Sequence, residues 1–442
     1  MECTMTLFPL PAQDVEALAK KFGIDLNRAS IREVNRLVNQ LEHLHDIRFV
    51  RMEFGIPGLP AGAVAADAIS EYLHQNPQAN AYAPFDGMAA LKETGATFFH
   101  AFWNLSWPSR LIVPTNGGMH GCLLAMAIAG SLHQDRPGIL GLNPGFPVNR
   151  AQAQFLGLPW FNLEFDRDHQ GLFPEKLDRF LGEHPIGGVI WSSPNNPSWL
   201  CLSDEELQQF AAIFKKHGVV AIEDAAYFGM DFRTDVSQPF KPPYPPSIGH
   251  HYARSFLVWS SSKLYSFAGQ RIGLLGIHPD FAEQEFPPLQ HRMGKTRVLD
   301  AVVHGGIYPT TASISSSAQV GLQALLQATL DGTFSPWNDV RAYENRAKTM
   351  KTLFLENGFQ LIFQQDGQGS LADGFYFTVS FPGMTGAELV RHLLFFGLSA
   401  ISLDTTGLVS AEGIRICVSL VADHQMEDLR ARLQAFQRVH GS

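Results

Sequence analysis

The stretch Phe256-Leu257-Val258-Trp259-Ser260-Ser261-Ser262-Lys263 passes from four apolar residues to three hydroxyls and a lysine. A short apolar run that stops at polar residues reads as a buried strand entering a turn. The same signature occurs four times upstream. Leu111 to Pro114 runs into Thr115-Asn116-Gly117-Gly118, and Ile139 to Leu142 ends at Asn143-Pro144-Gly145. Val189-Ile190-Trp191 ends at Ser192-Ser193-Pro194, and Val219 to Ile222 ends at Glu223-Asp224. Helical stretches separate these runs. Buried strands alternating with helices specify an α/β fold with a mainly parallel sheet. In such sheets ligands bind beyond the carboxyl ends of the strands. Gly117, Phe146, Asn196, Asp224 and Lys263 all fall just after strands.

Past about residue 330 the pattern changes. Val340 to Asn357 reads as one helix, Gly374 to Phe381 and Gly413 to Leu420 as strands, and Ala387 to Phe396 and Met426 to Val439 as helices. These elements describe a second, smaller α/β domain. At the other end, Asp14 to His45 reads as helical, with Val15, Leu18, Ala19 and Phe22 on one stripe and a capping-box pattern at Ser30 and Glu33. Gly55, Pro57, Gly58, Pro60 and Gly62 mark a loop.

The chain has 442 residues, 45% of them hydrophobic, which is enough for roughly two to three domain units. Its four cysteines (Cys3, Cys122, Cys201, Cys417) show no paired spacing, which argues against a zinc site or a disulfide framework and fits a reducing compartment. A net charge of -9 without a basic block argues against nucleic-acid binding. The acidic start Met1-Glu2-Cys3-Thr4 is unlike a signal peptide. No apolar run approaches the roughly 18 residues a spanning helix needs. The expectation is a cytoplasmic protein with no membrane, nucleic-acid or metal partner.

A lysine at a strand end can form an imine with a carbonyl, and a nearby arginine offers a bidentate site for phosphate. Taken alone, a serine-rich stretch with one lysine such as Ser260 to Lys263 is usually just a polar loop. With Gly269 six residues and Arg271 eight residues after Lys263, the segment resembles the cofactor-lysine signature of fold-type-I pyridoxal-phosphate (PLP) aminotransferases of class I/II. The resemblance covers about Gly55 to Ser419. It implies a three-layer sandwich as the large PLP-binding domain (61–325), with the smaller domain at 326–442 and an N-terminal segment (1–60) joining it.

The resemblance also implies roles. Lys263 holds PLP as a Schiff base and later acts as general base. Ser260, Ser262, Arg271, Gly117, Gly118 and Met119 hold the phosphate. Phe146, in Pro144-Gly145-Phe146-Pro147, stacks on the cofactor ring. Asp224, in Asp224-Ala225-Ala226-Tyr227, faces the pyridine nitrogen and keeps it protonated, while Glu223 points to the opposite strand face. Asn196 and Tyr227 share the ring phenolate, with Asn195 as the neighbouring alternative to Asn196. Tyr82 reaches the phosphate of a neighbouring subunit's cofactor, which implies a homodimer. Arg415, in Gly413-Ile414-Arg415-Ile416, grips the substrate α-carboxylate, and Gly55 covers the substrate. His120 is read as a packed residue.

The sequence departs from the family pattern in several places. Ser193 stands where Asn is usual and Trp199 where Gly is usual. The loop Pro239 to Pro246 carries extra prolines. Tyr308 to Thr311, ahead of Ser313 to Ser316, lacks the arginine of dicarboxylate-specific relatives. The implied reaction moves an amino group between an L-amino acid and a 2-oxo acid. A PLP-dependent C–S β-lyase or decarboxylase on the same scaffold, or a non-catalytic regulator built on this fold, are the alternatives.

Overall fold

The computed structural model describes residues 8–26, 29–165, 173–367 and 369–441. The N-terminal tetrapeptide with Cys3, and positions 27–28 of the helical reading, lie outside the described residues. The chain divides into two compact units. The larger comprises residues 59–195 and 201–340; the smaller comprises 1–58, 196–200 and 341–442.

The larger unit is built on seven strands: β1 (Ile112–Thr115), β2 (Gly138–Asn143), β3 (Trp160–Glu164), β4 (Ile186–Ser192), β5 (Val220–Asp224), β6 (Ser255–Ser260) and β7 (Gly273–Ile277). Their order across the sheet is β1-β7-β6-β5-β4-β2-β3. All neighbours run parallel except β7, which is antiparallel to both β1 and β6. The α/β class and mainly parallel sheet expected from the sequence are therefore borne out.

Strand β5 shows how the layers form. Its odd residues face a core of Leu140, Val189, Trp191, Phe210, Phe214 and Ala221, closed by the helices Phe173–Glu183 and Asp204–His217. Its even residues face the apolar helix Gly118–Ala129. The helix Asp204–His217 buries Leu207, Phe210, Ala211 and Phe214, a helical stripe. Each large side chain there contributes about 1.5–3 kcal/mol. The Ser203–Glu206 capping box, worth about 1 kcal/mol, fixes where that helix starts.

The smaller unit carries an antiparallel sheet of β8 (Gln360–Leu361), β9 (Tyr376–Ser380), β10 (Ile401–Ser402) and β11 (Ile414–Cys417), in the order β10-β11-β9-β8. Phe354, Phe359, Phe377, Phe381 and Phe436 pack together beside it. The helix Pro336–Glu356 leads into this unit, and Gly386–Phe395 and Met426–His440 belong to it. Two N-terminal helices, Ala12–Phe22 and Ile31–His45, pack through Val15, Ala19, Val34, Leu37 and Leu41. The second begins with the expected Ser30–Glu33 capping box. Among the described residues no helix is long and apolar enough to cross a membrane.

Candidate active site

Strand register gathers the polar residues that ended the apolar runs. Ser192 pairs with Asp224 and Asp224 with Val258, while Gly273 is flanked by Ser260 on one side and Thr115 on the other. Gly273 permits this closeness: a Cβ there would lie 2.7 Å from the Trp259 carbonyl and 3.1 Å from the Gly118 nitrogen.

At this edge the helix Gly118–Ala129 begins, and no side chain caps it. Its first N–H groups, at Gly118 and Met119, therefore offer donors at the positive end of the helix dipole. Gly117 has φ +76°, and a Cβ on it would lie 2.5 Å from the guanidinium of Arg271. Glycine is thus required both for the backbone conformation and for the arginine's approach. Arg271 itself sits at φ +52° and donates from Nη1 to the Ala268 carbonyl at 2.8 Å. Ser260 caps the short helix Ser261–Leu264, its Oγ accepting the Ser262 N–H at 3.2 Å, and a Cβ on Gly118 would lie 3.6 Å from that Oγ. Helix donors, a hydroxyl and a guanidinium converge here into a set suited to a phosphate dianion. Met119 is exposed, and its carbonyl accepts from Gln152 at 2.7 Å.

Lys263 lies on that short helix, with Nζ 6.0 Å from the centre of the buried Tyr227 ring. Asp224 is buried at the end of β5 and accepts the Ala226 N–H at 3.0 Å. Burial pushes its carboxyl up to about 6; the Ala226 N–H, the Cys122 thiol and the charge of Lys263 oppose that rise. Glu223 faces the other way and accepts from the Ser247 hydroxyl at 2.7 Å and the Ile248 N–H at 3.0 Å. His120 is held between the Asn116 N–H, which it accepts at Nδ1, and Thr310 Oγ1 at 3.1 Å from Nε2. Burial lowers its pKa to about 4, so it is neutral.

Phe146 is half-buried at the start of the helix Pro147–Phe155. Asn195 donates to the Pro144 carbonyl at 3.0 Å. Tyr82 is 85% exposed and lines a groove with Phe85, Asp86, Arg110, Asp300 and His304.

The smaller unit brings Arg415, Asn196 and Gly55 together. Arg415 is buried on β11 and donates from Nη1 to Asn196 Oδ1 at 3.2 Å. Its guanidinium lies 4.5 Å from the centre of the Tyr376 ring, within cation–π range. Its Nε is buried without a hydrogen-bond partner, an orphaned donor that suits an incoming anion. Gly55 accommodates the Tyr376 hydroxyl, which would lie only 1.9 Å from a Cβ at that position. Trp199 is buried edge-on to Tyr376, and a Cβ on Gly374 would lie 2.3 Å from its indole. It holds φ +65°, the left-handed conformation that a glycine would adopt without strain.

Sequence reasoning missed Cys122, Tyr376 and Glu53. Cys122 follows Gly118 by one helical turn, and Glu53 precedes Gly55 by two residues. Neither spacing forms a motif. Among the described residues no three His, Cys, Asp or Glu side chains stand together as metal ligands.

The fold and these side chains define an aminotransferase scaffold. The chain belongs to the aminotransferase class I and II family, whose model matches residues 56–433, as the Ser260–Arg271 resemblance implied. It is 26% identical over 234 residues to transaminase BacF of Bacillus subtilis, covering 49% of this chain and 52% of BacF. It is 22% identical over 368 residues to the aspartate aminotransferase of the same organism, covering 81% of this chain and 84% of that one. The chain spans about half the length, or less, of several curated relatives it matches, including 43% of nicotianamine aminotransferase 1 of Oryza sativa. In fold it is similar to Thermus thermophilus aspartate aminotransferase (TM-score 0.73, 18% identity, 93% of this chain and 96% of that one). An aminotransferase from Mycobacterium tuberculosis superposes with TM-score 0.74 at 18% identity, again covering 93% and 96%.

Proposed function

We propose that this chain is a PLP-dependent aminotransferase acting between an L-amino acid and a 2-oxo acid. The observation that carries this reading is the cradle of Gly117, Gly118, Ser260 and Arg271 beside Lys263 and Asp224. A Cβ on Gly117 would fill the space in which the Arg271 guanidinium meets the backbone, so the residues present fit a phosphate-bearing cofactor.

Bound PLP supplies an aldehyde that captures the lysine or substrate amine and a ring that stabilises charge at the substrate Cα. Lys263 provides the amine, and once free its Nζ takes the Cα proton. Asp224 offers a carboxylate to the ring nitrogen, and a protonated nitrogen opposite it would draw its pKa back down. Tyr227 and Asn196 serve the phenolate, Phe146 the ring face, Ser262 and Met119 the phosphate surroundings, and Tyr82 the cofactor of a second copy in a homodimer. Arg415 receives the α-carboxylate, and Gly55 lies in the covering loop. Segments 1–60 and 326–442 carry the carboxylate grip and 61–325 the cofactor machinery, with Asn196 contributing from within the latter range. The acidic, cysteine-poor composition supports a cytoplasmic setting. The absence of arginine at Tyr308 to Thr311 favours substrates other than simple dicarboxylates.

A half-reaction screen tests the proposal. Each amino acid is mixed with PLP-loaded protein, and the cofactor absorption is followed to the pyridoxamine form. Conversion without ammonia supports transamination; ammonia with pyruvate would indicate a lyase instead. Lys263→Ala should abolish turnover, and undiminished turnover would overturn the assignment.

A further inference from the structure

Arg415 donates from Nη2 to the main-chain carbonyl of Glu53 at 2.6 Å. The Glu53 side chain is fully buried and pinned at both oxygens. Oε1 accepts from Arg51 Nε at 3.1 Å, with Arg51 Nη2 3.0 Å away, and Oε2 accepts the Ser399 hydroxyl at 2.6 Å. Backbone bonds clamp the same segment: Met52 N–H to the Ser399 carbonyl and Cys417 N–H to the Met52 carbonyl, each at 3.0 Å. Arg51 also reaches the helix Ile31–His45, donating to Asn39 Oδ1 at 2.7 Å and Glu42 Oε2 at 3.5 Å.

A buried ion pair is weak as a source of stability, because apolar residues of similar volume usually do as well. Its advantage is a fixed geometry. Here the atom so fixed is the carbonyl on which the Arg415 fork rests. The remaining donors of that fork, including the orphaned Nε, are the ones left for an anion.

We propose that Glu53 is a positioning residue for the substrate α-carboxylate: its buried side chain locks its own carbonyl, which aims the Arg415 guanidinium. The proposal rests on the reading of Arg415 given above. The Arg51 link makes the helix Ile31–His45 part of the same support.

The test uses PLP-loaded protein carrying Glu53→Gln, Glu53→Ala or Arg415→Ala. First half-reactions are followed by cofactor absorption with an amino acid and with the matching amine that lacks the carboxylate. Glu53→Ala should raise KM for the amino acid roughly tenfold with little change in kcat, and leave the amine unaffected. Glu53→Gln keeps shape and an acceptor, so its defect should be smaller. Cofactor affinity, measured by equilibrium dialysis, should match wild type in both Glu53 variants. If Arg415→Ala raises the amino-acid KM and neither Glu53 variant does, the positioning role is overturned while the Arg415 reading stands. If Arg415→Ala leaves that KM unchanged, the Arg415 reading itself fails. Equal losses for amine and amino acid in the Glu53 variants would also overturn the proposal, since general damage does not discriminate the carboxylate.

Discussion

The buried thiol of Cys122 opposes the rise that burial gives the carboxyl group of Asp224. Two glycines make the contact possible. A Cβ on Gly121 would lie 2.9 Å from Val258, and one on Gly118 would lie 3.2 Å from the Ser260 Cβ, so the helix Gly118–Ala129 settles directly onto the strand Ser255–Ser260. The next residue, Cys122, then reaches the carboxyl on the neighbouring strand. A donor to the ionised form favours ionisation. Cys122→Ala should therefore raise the Asp224 pKa further and move the acid limb of the activity profile up by as much as about one pH unit. Cys122→Ser should restore the profile. Superimposable profiles for Ala, Ser and wild type would show that the thiol has no influence.

Asp224 should carry a stability cost in the cofactor-free protein. Its folded pKa of about 6 lies above the ordinary value of 3.8. The protonated form is thus favoured by folding, and stability falls as pH rises from about 4 to 6, then levels off. Asp224→Asn escapes that fall. Above pH 6 the variant should be more stable by on the order of 2–3 kcal/mol, with the advantage vanishing near pH 3.5. Urea denaturation at several pH values measures the difference. The same substitution should abolish transamination, so a variant that is both active and stabilised contradicts the role given to Asp224.

Gly117 should tolerate no side chain. Gly117→Ala forces a Cβ into positive φ and against the Arg271 guanidinium. Backbone strain of about 1–3 kcal/mol is expected, together with displacement of the arginine. PLP affinity should drop at least tenfold by dialysis. Affinity equal to wild type would mean that the phosphate is held elsewhere.

Gly55 and Tyr376 should show coupled behaviour. Gly55→Ala places a Cβ into the tyrosine hydroxyl, whereas the ring carbon behind that hydroxyl is 3.0 Å away. Removing the oxygen with Tyr376→Phe should relieve much of the clash. In a double-mutant cycle the pair should cost less than the sum of the single changes by about 1 kcal/mol or more. Strict additivity in thermal unfolding would contradict the contact.

The strands ending at Asp224 and Ser260 were legible because each apolar run stops abruptly at polar residues, a local signal. β7 was not, since Gly273 and Gly276 interrupt its run. Those glycines answer to distant neighbours: Trp259 and Gly118 for the first, Phe99 and Trp107 for the second. β3 was missed because Asn162 separates Trp160-Phe161 from Leu163, so its apolar residues form no continuous run, and Leu163 is the one buried residue in it. The left-handed backbone of Trp199 runs against local preference and could not be read from sequence. Glu53 and Ser399 meet across 346 positions, and no spacing rule spans that distance. Lys263, Asp224 and Arg415 belong to compact motifs, which is why sequence singled them out. The groups supporting them are dispersed, and only folding shows which ones they are.

Arg415, Asn196 and Gly55 come from three separate passages of the chain through one unit. No excised fragment shorter than the span from Gly55 to Arg415 contains the whole trio. During synthesis the guanidinium emerges long after the loop and the amide it joins, so the trio can form only once the last of the three passages is made. Nicks in the long intervening segments would leave every ligand present while severing the tether that keeps the trio at high mutual concentration.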